Sequence, residues 1–170
     1  PPLPPPLPPP PPPPLPPLVE AASRRSLEAV MFSLAEGADV QAVNSSGMTA
    51  LILAANNGDL PVVEALLEHG ANVEAAAWNG STPLMRAARG GHLRVVEALL
   101  REGANVQAAR NDGFTVLMSA VFGGNLSVVE ALLAQGANRE ARDESGRTAL
   151  DIAIDPTMKN VLQRPVSPLR

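Results

Sequence analysis

A 33-residue period limits what this chain can fold into more than any other feature does. Gly47, Gly80, Gly113 and Gly146 stand 33 apart. Two residues after each comes a threonine (Thr49, Thr82, Thr115, Thr148), and two further on a leucine (Leu51, Leu84, Leu117, Leu150). A second series, Gly37, Gly70, Gly103 and Gly136, keeps the same period, each followed by alanine and then by Asp39, Asn72, Asn105 or Asn138. Between the two series lie the near-copies "LPVVEALLEHGAN", "LRVVEALLREGAN" and "LSVVEALLAQGAN". A period of this length marks an array in which one small unit stacks on the next.

Each unit reads as two short helices. Leu51, Ala54 and Ala55 stand at i, i+3 and i+4, repeated by Leu84, Ala87, Ala88 and by Leu117, Ala120, Val121, and such small side chains let neighbouring helices approach closely. Gly58, Gly91 and Gly124 supply a turn that needs positive φ, Asp59 or Asn125 can cap the second helix, and Pro61 falls in its tolerant first turn. Val63, Leu66 and Leu67 form a second stripe that ends at Gly70, where a left-handed residue belongs. Neither helix is long enough to be stable alone in water, so burial against the next unit has to supply the stability.

These residues resemble the ankyrin repeat family. The match is carried by "GSTPLMRAARGGHLRVVEALLREGANV" at residues 80–106 and its counterparts beginning at Gly47 and Gly113. The resemblance implies an all-α repeat solenoid of stacked helix-turn-helix units with short β-hairpin loops. The expected organisation is a proline-rich extended tract at 1–18, a repeat domain at 19–163 and a C-terminal tail at 164–170. Its units run at about 17–43, 44–76, 77–109, 110–142 and 143–163, three full ones between two degenerate caps. In the first cap Pro17, Leu18, Ala21 and Ala22 align with Ala50, Leu51, Ala54 and Ala55, but the hairpin is missing and Arg25 replaces a turn glycine, so this end is expected to fray. In the closing unit, "GRTALDIAIDPTMKNVLQ", Asp155 is a helix cap and Pro156 the first helical residue.

The chain also departs from the family pattern. Where the family commonly has a histidine tying neighbouring loops together, this chain has Ile52, Met85, Met118 and Asp151, which predicts looser loops. Where asparagine is common after the Gly-Ala-Asp/Asn trio, it has Gln41, Glu74, Gln107 and Glu140, so a modification known at that asparagine has no acceptor.

Composition narrows the function classes. Net charge is −4, from 17 acids and 13 bases, and no basic surplus draws the chain to nucleic acid or an anionic membrane. No apolar run approaches the roughly 18 to 20 residues of a membrane span, and no signal peptide is recognisable. Zero cysteines exclude disulfides and thiolate-held metal. An intracellular, cytoplasmic monomer is expected. The chain opens on Pro1 rather than Met, which leaves room for an upstream segment.

No catalytic or metal-binding constellation emerges, and no cofactor is expected. His92 sits in a turn where the family often has histidine and reads as structural, whereas His69 precedes a helix-ending glycine and reads as exposed. Gly90-Gly91 and Gly123-Gly124 lack phosphate-loop spacing. Glu64, Glu97 and Glu130, with Arg101 four residues after Glu97, read as a solvated helix face.

Recognition is what remains. In ankyrin stacks the hairpin tips, the residue after the tip glycine and the end of the first helix line a concave surface. Carried onto this sequence, the partner-binding candidates are Met48 and Asn56; Trp78, Asn79, Ser81, Arg86 and Arg89; Asn111, Asp112, Phe114 and Phe122; and Arg147 in the closing unit. The chain holds only four aromatic residues and three of them are in this set, while Phe32 falls on a core-facing helix. Trp78 invites two readings: an anchor displayed to a partner, or a ring laid flat over the neighbouring turn. The middle unit carries Arg86, Arg89, Arg94, Arg101 and Arg110 and the closing unit Asp143, Glu144, Asp151 and Asp155, so a partner segment with an acidic and hydrophobic stretch is favoured.

The opening "PPLPPPLPPPPPPPLPPL" reads as a polyproline II rod, which is either a ligand for a WW, profilin or EVH1 module or a stiff linker. The function expected is a non-catalytic protein-protein interaction module or adaptor binding a protein or peptide through the groove and hairpin tips. The alternative is a regulatory or targeting domain of a larger enzyme or channel.

Overall fold

The computed structural model describes residues 17–165; the rest of the proline tract, and with it the proposed WW, profilin or EVH1 ligand, lies outside the described residues. Helices come in pairs: α1 (Pro17–Ser23) with α2 (Leu27–Ala35), α3 (Ala50–Asn57) with α4 (Leu60–Glu68), α5 (Pro83–Gly90) with α6 (Leu93–Arg101), α7 (Val116–Phe122) with α8 (Leu126–Ala134), and α9 (Ala149–Ile152) with α10 (Pro156–Gln163). The first helices pack in one row, α1 on α3 on α5 on α7 on α9, and α2, α4, α6 and α8 form a second row behind them. The Leu-x-x-Ala-Ala stripe is the reason: Leu51, Ala54 and Ala55 and their equivalents in α5 and α7 are all buried, in one continuous core that runs through every pair. In the second row the buried face of α4 is Val62, Val63, Ala65 and Leu66, with Leu67 only half-buried at its margin. No helix among the described residues is long and apolar enough to cross a membrane.

Every first helix from α3 onward is capped alike. Thr49, Thr82, Thr115 and Thr148 each accept a hydrogen bond from the backbone N–H three residues on, which explains the invariant threonine of the repeat. Second helices differ more. Asp59 caps α4 and Asp155 caps α10 with Pro156 at the first helical position, but Asn125 makes no cap bond. Its amide turns back instead and donates to the carbonyls of Ala88 and Arg89, closing the end of α5 from the following unit. His92 does the same one unit earlier, its Nε2 lying 3.0 Å from the Asn56 carbonyl, and His69 stays exposed on its own helix end beside the Ala65 carbonyl.

The expected β-hairpins are reduced among the described residues to two isolated bridges, Val43 with Thr49 and Ala109 with Thr115. The connecting loops close as turns, each too short for a ladder. The loops are not loose, however. Trp78 N–H donates to Ser46 O, Asn111 N–H to Asn79 O and Glu144 N–H to Asp112 O, so backbone bonds link each tip to the one before. The positions that lack the family's histidine are instead apolar and buried at Ile52, Met85 and Met118.

Three expectations change at the N-terminal end. The tract stops short of its expected boundary, because Pro17 and Leu18 belong to α1 and Leu18 is buried. Phe32 is not core-facing; it is 68% exposed, and the adjacent Ser33 is buried instead. Phe32 occupies the repeat position of Ala65 and Ala98, which are buried, but α2 has no described unit before it, so the side chain stays uncovered. Arg25 takes up the left-handed conformation (φ 59°) that Gly58 holds one unit later (φ 70°). That costs a non-glycine residue about 1 kcal/mol, which its guanidinium offsets by donating to the Asn57 carbonyl at 3.1 Å.

The residues that replace the family's asparagine staple the units together. Gln41 accepts from Asn72 N–H and donates to Gly70 O, and Gln107 accepts from Asn138 N–H and donates to Gly136 O. Glu74 accepts from Asn105 N–H but as a carboxylate has no proton to give the Gly103 carbonyl. Glu74→Gln should therefore raise stability by about 0.5 kcal/mol, read as the denaturant midpoint, and Gln41→Ala should lower it by about 1 kcal/mol. A Glu74→Gln variant no more stable than the parent would count against the staple.

The closing unit has a different electrostatic design. Asp143 is buried and paired with Arg147 at 2.8 Å; the Arg147 backbone amide, its guanidinium and the Ser145 amide hold the Asp143 carboxyl below the usual range. The Thr148 amide and hydroxyl do the same for Asp151. Both pKa values are depressed by folding, so the stabilisation is complete above the unfolded value of about 4 and is lost as pH falls below it. The difference in midpoint between the parent and Asp143→Asn should be widest near neutral pH and shrink towards pH 3; a gap that does not change with pH would exclude this role.

Candidate protein-interaction surface

The tips of the second to fifth units show how turn chemistry frees certain side chains. In "NSSG" and "DESG" the first residue serves the turn: Asn44 accepts from Ser46 and Met48 N–H, and Asp143 from Ser145 and Arg147 N–H. In "AWNG" and "RNDG" the acceptor has moved to the third residue, so Asn79 accepts from Ser81 N–H and Asp112 from Phe114 N–H. Arg110, relieved of the turn, reaches its own tip as a side chain.

Trp78 satisfies both readings in part. Its indole N–H donates to Ser45 O at 3.1 Å, and its ring lies so close over Gly47 that a Cβ there would come within 2.5 Å of it. Gly47, at φ 75°, is thus required for its conformation and for the ring above it. The ring still leaves 67% of the residue exposed. It is a displayed surface on a fixed mount.

Further along the stack, Phe114 and Phe122 meet edge to face, with centroids 6.3 Å apart. The Arg89 guanidinium lies over Phe122 at 4.8 Å, and Arg110 over Phe114 at 4.9 Å. Arg110 is also paired with Asp112, which raises the arginine's pKa and lowers that of the carboxyl. Phe122 is 60% exposed, whereas Phe114 is half-buried and packed on the core. The two phenylalanines are therefore not equivalent.

Two recesses open between the tips and the first helices. One, of about 450 Å³, is lined by Ser45, Ser46, Met48, Trp78, Asn79 and Arg86; the other, of about 60 Å³, by Asn79, Ser81, Arg86, Arg89, Arg110 and Phe114 among others. They share Asn79 and a wall formed by Arg86. Its Nε is buried and has no hydrogen-bond partner among the described residues, and burial, with Arg89 and Arg110 beside it, disfavours its charge.

The candidates divide accordingly. Met48, Trp78, Asn79, Arg86, Arg89 and Phe114 are brought together around the two recesses, with Phe122 and Asp112 joined on through Phe114 and Arg110. Ser81 is buried on the floor. Asn111 ties tips together by donating to Trp78 O, and the Asn56 carbonyl is taken by His92. Arg147 is engaged with Asp143 in the closing turn, outside both recesses, and Asp143 itself is internal, so the acidic end is less available than its composition implied. Arg110 was missed as a site residue. The signal for it was its position, which Asn44 and Asp143 fill with turn acceptors.

A search for similar characterised proteins found no match. Two family models match, one described as ankyrin repeats (3 copies) over residues 18–110 and one as ankyrin repeats (many copies) over residues 101–153. Ankyrin repeats are in general protein-protein interaction modules, and only such repeats are matched in the chain. With the helix pairs, threonine caps and linked tips all following the 33-residue period, the chain belongs to the ankyrin repeat family.

Proposed function

We propose that this chain is a non-catalytic adaptor that binds a partner protein along the row formed by Met48, Trp78, Arg86, Arg89, Phe114 and Phe122. One observation carries the reading: in a chain with four aromatic residues, three are gathered on the tips and first-helix ends of adjacent units, beside arginines that stand over two of the rings. Folding does not require that. An exposed indole and an exposed phenyl ring are costly to leave in water, and rigidly mounted aromatic and arginine side chains are the residues that dominate binding energy at interfaces. The hydrogen bond and the Gly47 seat hold Trp78 in one orientation, which reduces the entropy lost on association.

Selection of a random 12-residue peptide display library on the full chain tests this. Peptides that are retained should lose about 2 kcal/mol, roughly thirtyfold in affinity, on Trp78→Ala and on Phe122→Ala, and be unaffected by Glu97→Ala on the opposite helix row. Trp78→Ala should cost about 1 kcal/mol of stability, from its hydrogen bond and its contact with the turn, well below the 2 to 5 kcal/mol expected for Leu84→Ala in the core. Retained peptides that bind both aromatic variants as tightly as the parent would place recognition elsewhere.

A further inference from the structure

Arg86 occupies a repeat position filled by Glu20, Leu53, Ser119 and Ile152 in the other units. That slot is half-buried or buried, apolar residues and a serine fit it, and the one other charge there, Glu20, is paired with Arg24. The charge is nevertheless there, with Nε buried and unpartnered, and with Arg89 and Arg110 near enough to repel it. Neither Arg86 nor Arg89 has a carboxylate within 4 Å among the described residues, no acid lines the recess, and the neighbouring Asp112 is already engaged by Arg110. The recess is therefore a locally positive pocket in a chain of net charge −4. A half-buried cation held beside two others, with no counter-ion of its own, is a standing cost to folding, and an anion that enters relieves it.

We propose that this recess receives the side-chain carboxylate of an extended acidic segment of a partner protein, with Arg86 as the anchoring donor. The inference rests on the adaptor reading and specifies the partner's chemistry. Arg86, which lines the recess, offers its guanidinium for charge-assisted hydrogen bonds, and Arg89 and Arg110 contribute the field. The volume of about 60 Å³ suits a small planar anion such as a carboxylate. The segment must also carry an apolar residue, because Arg86 is shared with the larger recess under Trp78 and Met48, where such a side chain is covered. Acidic and apolar residues close together in one strand of peptide are thus what the surface complements.

The test uses the single tryptophan as reporter. The full chain is titrated at low salt with the acetylated, amidated peptide Leu-Glu-Leu-Glu-Leu and with its Leu-Gln-Leu-Gln-Leu counterpart, and Trp78 fluorescence is followed. The Glu peptide should bind at least tenfold more tightly than the Gln peptide, Arg86→Gln should abolish that difference, and Arg147→Gln, outside the recess, should leave it intact. Equal affinity for the two peptides, or no response to the Glu peptide at about 10 mM, overturns the proposal. Inorganic phosphate that competes as strongly as the Glu peptide overturns it in favour of a phosphate site. A denaturant melt of Arg86→Met needs no ligand: the midpoint should rise, since Leu53 and Ile152 fill the same slot without charge, and a clear fall relative to Arg94→Met overturns the claim that the charge serves a ligand. Neutral peptides from the display library that still depend on Trp78 would sink this inference alone and leave the adaptor reading standing.

Discussion

Close approach of the first helices is the constraint on which everything else in this structure depends. Alanine at i+3 of each stripe, with alanine or, in α7, valine at i+4, lets α3, α5 and α7 lie against one another with their leucines buried between them. No helix among the described residues exceeds nine residues, and a helix of that length is unstable in isolation. Stability therefore belongs to the contact between units, and a bulky side chain in place of an alanine of the stripe would push two units apart rather than merely crowd one. The scarcity of aromatic residues follows from the same geometry: there is little room for them in the core, and of the four in the chain three are exposed and Phe114 packs at the core's margin.

Hydrogen bonds across unit boundaries then fix how the units are registered. Backbone bonds join successive tips; Gln41, Glu74 and Gln107 join the outer loops; His92 and Asn125 join a helix start to the preceding helix end. Each is mostly exposed and individually worth little. Their value lies in repetition, at three levels in the two central interfaces, which resists rotation of one unit on the next. A recognition surface assembled from the tips of adjacent units needs that resistance, because Trp78 and Phe114 belong to different units and can act together only if the spacing between their tips is held.

The period made the fold legible from sequence, since a four-times-repeated pattern of Gly, Thr, Leu and Ala says where helices start, stop and pack. What escaped was whatever depended on a break in the pattern or on a neighbour one unit away. Phe32 looked core-facing because its helix has the right stripe, but its position is buried only where a preceding unit covers it. Asn125 looked like a cap because Asp59 is one; an amide, unlike a carboxylate, also donates, and the carbonyls at the end of α5 were within its reach. The β-hairpins were inferred from the resemblance and shrank to turns. Most of the candidate surface was placed by position in the repeat, yet Ser81 proved buried and Arg147 tied down, since position alone does not say which side chain the turn has already used.

Arg110 and Arg86 show how function can be separated from folding in a repeat protein. Every position is sampled several times in the same fold, so the residue types at equivalent sites reveal what the architecture requires. Where threonine recurs, a cap is required; where Glu20, Leu53, Arg86, Ser119 and Ile152 alternate, the architecture requires no particular side chain, and an arginine left there with a buried Nε and no partner among the described residues needs another explanation. At Arg110 the usual turn acceptor has moved to Asp112, a compensation that keeps the turn intact while releasing a cation to the surface. At Arg86 no compensation is present among the described residues. Two exceptions to the repeat thus lie at the same recess, one made harmless to the fold and the other left as a cost. Drift would scatter such exceptions over the units; their convergence beside the only tryptophan is the pattern expected of a surface shaped for binding.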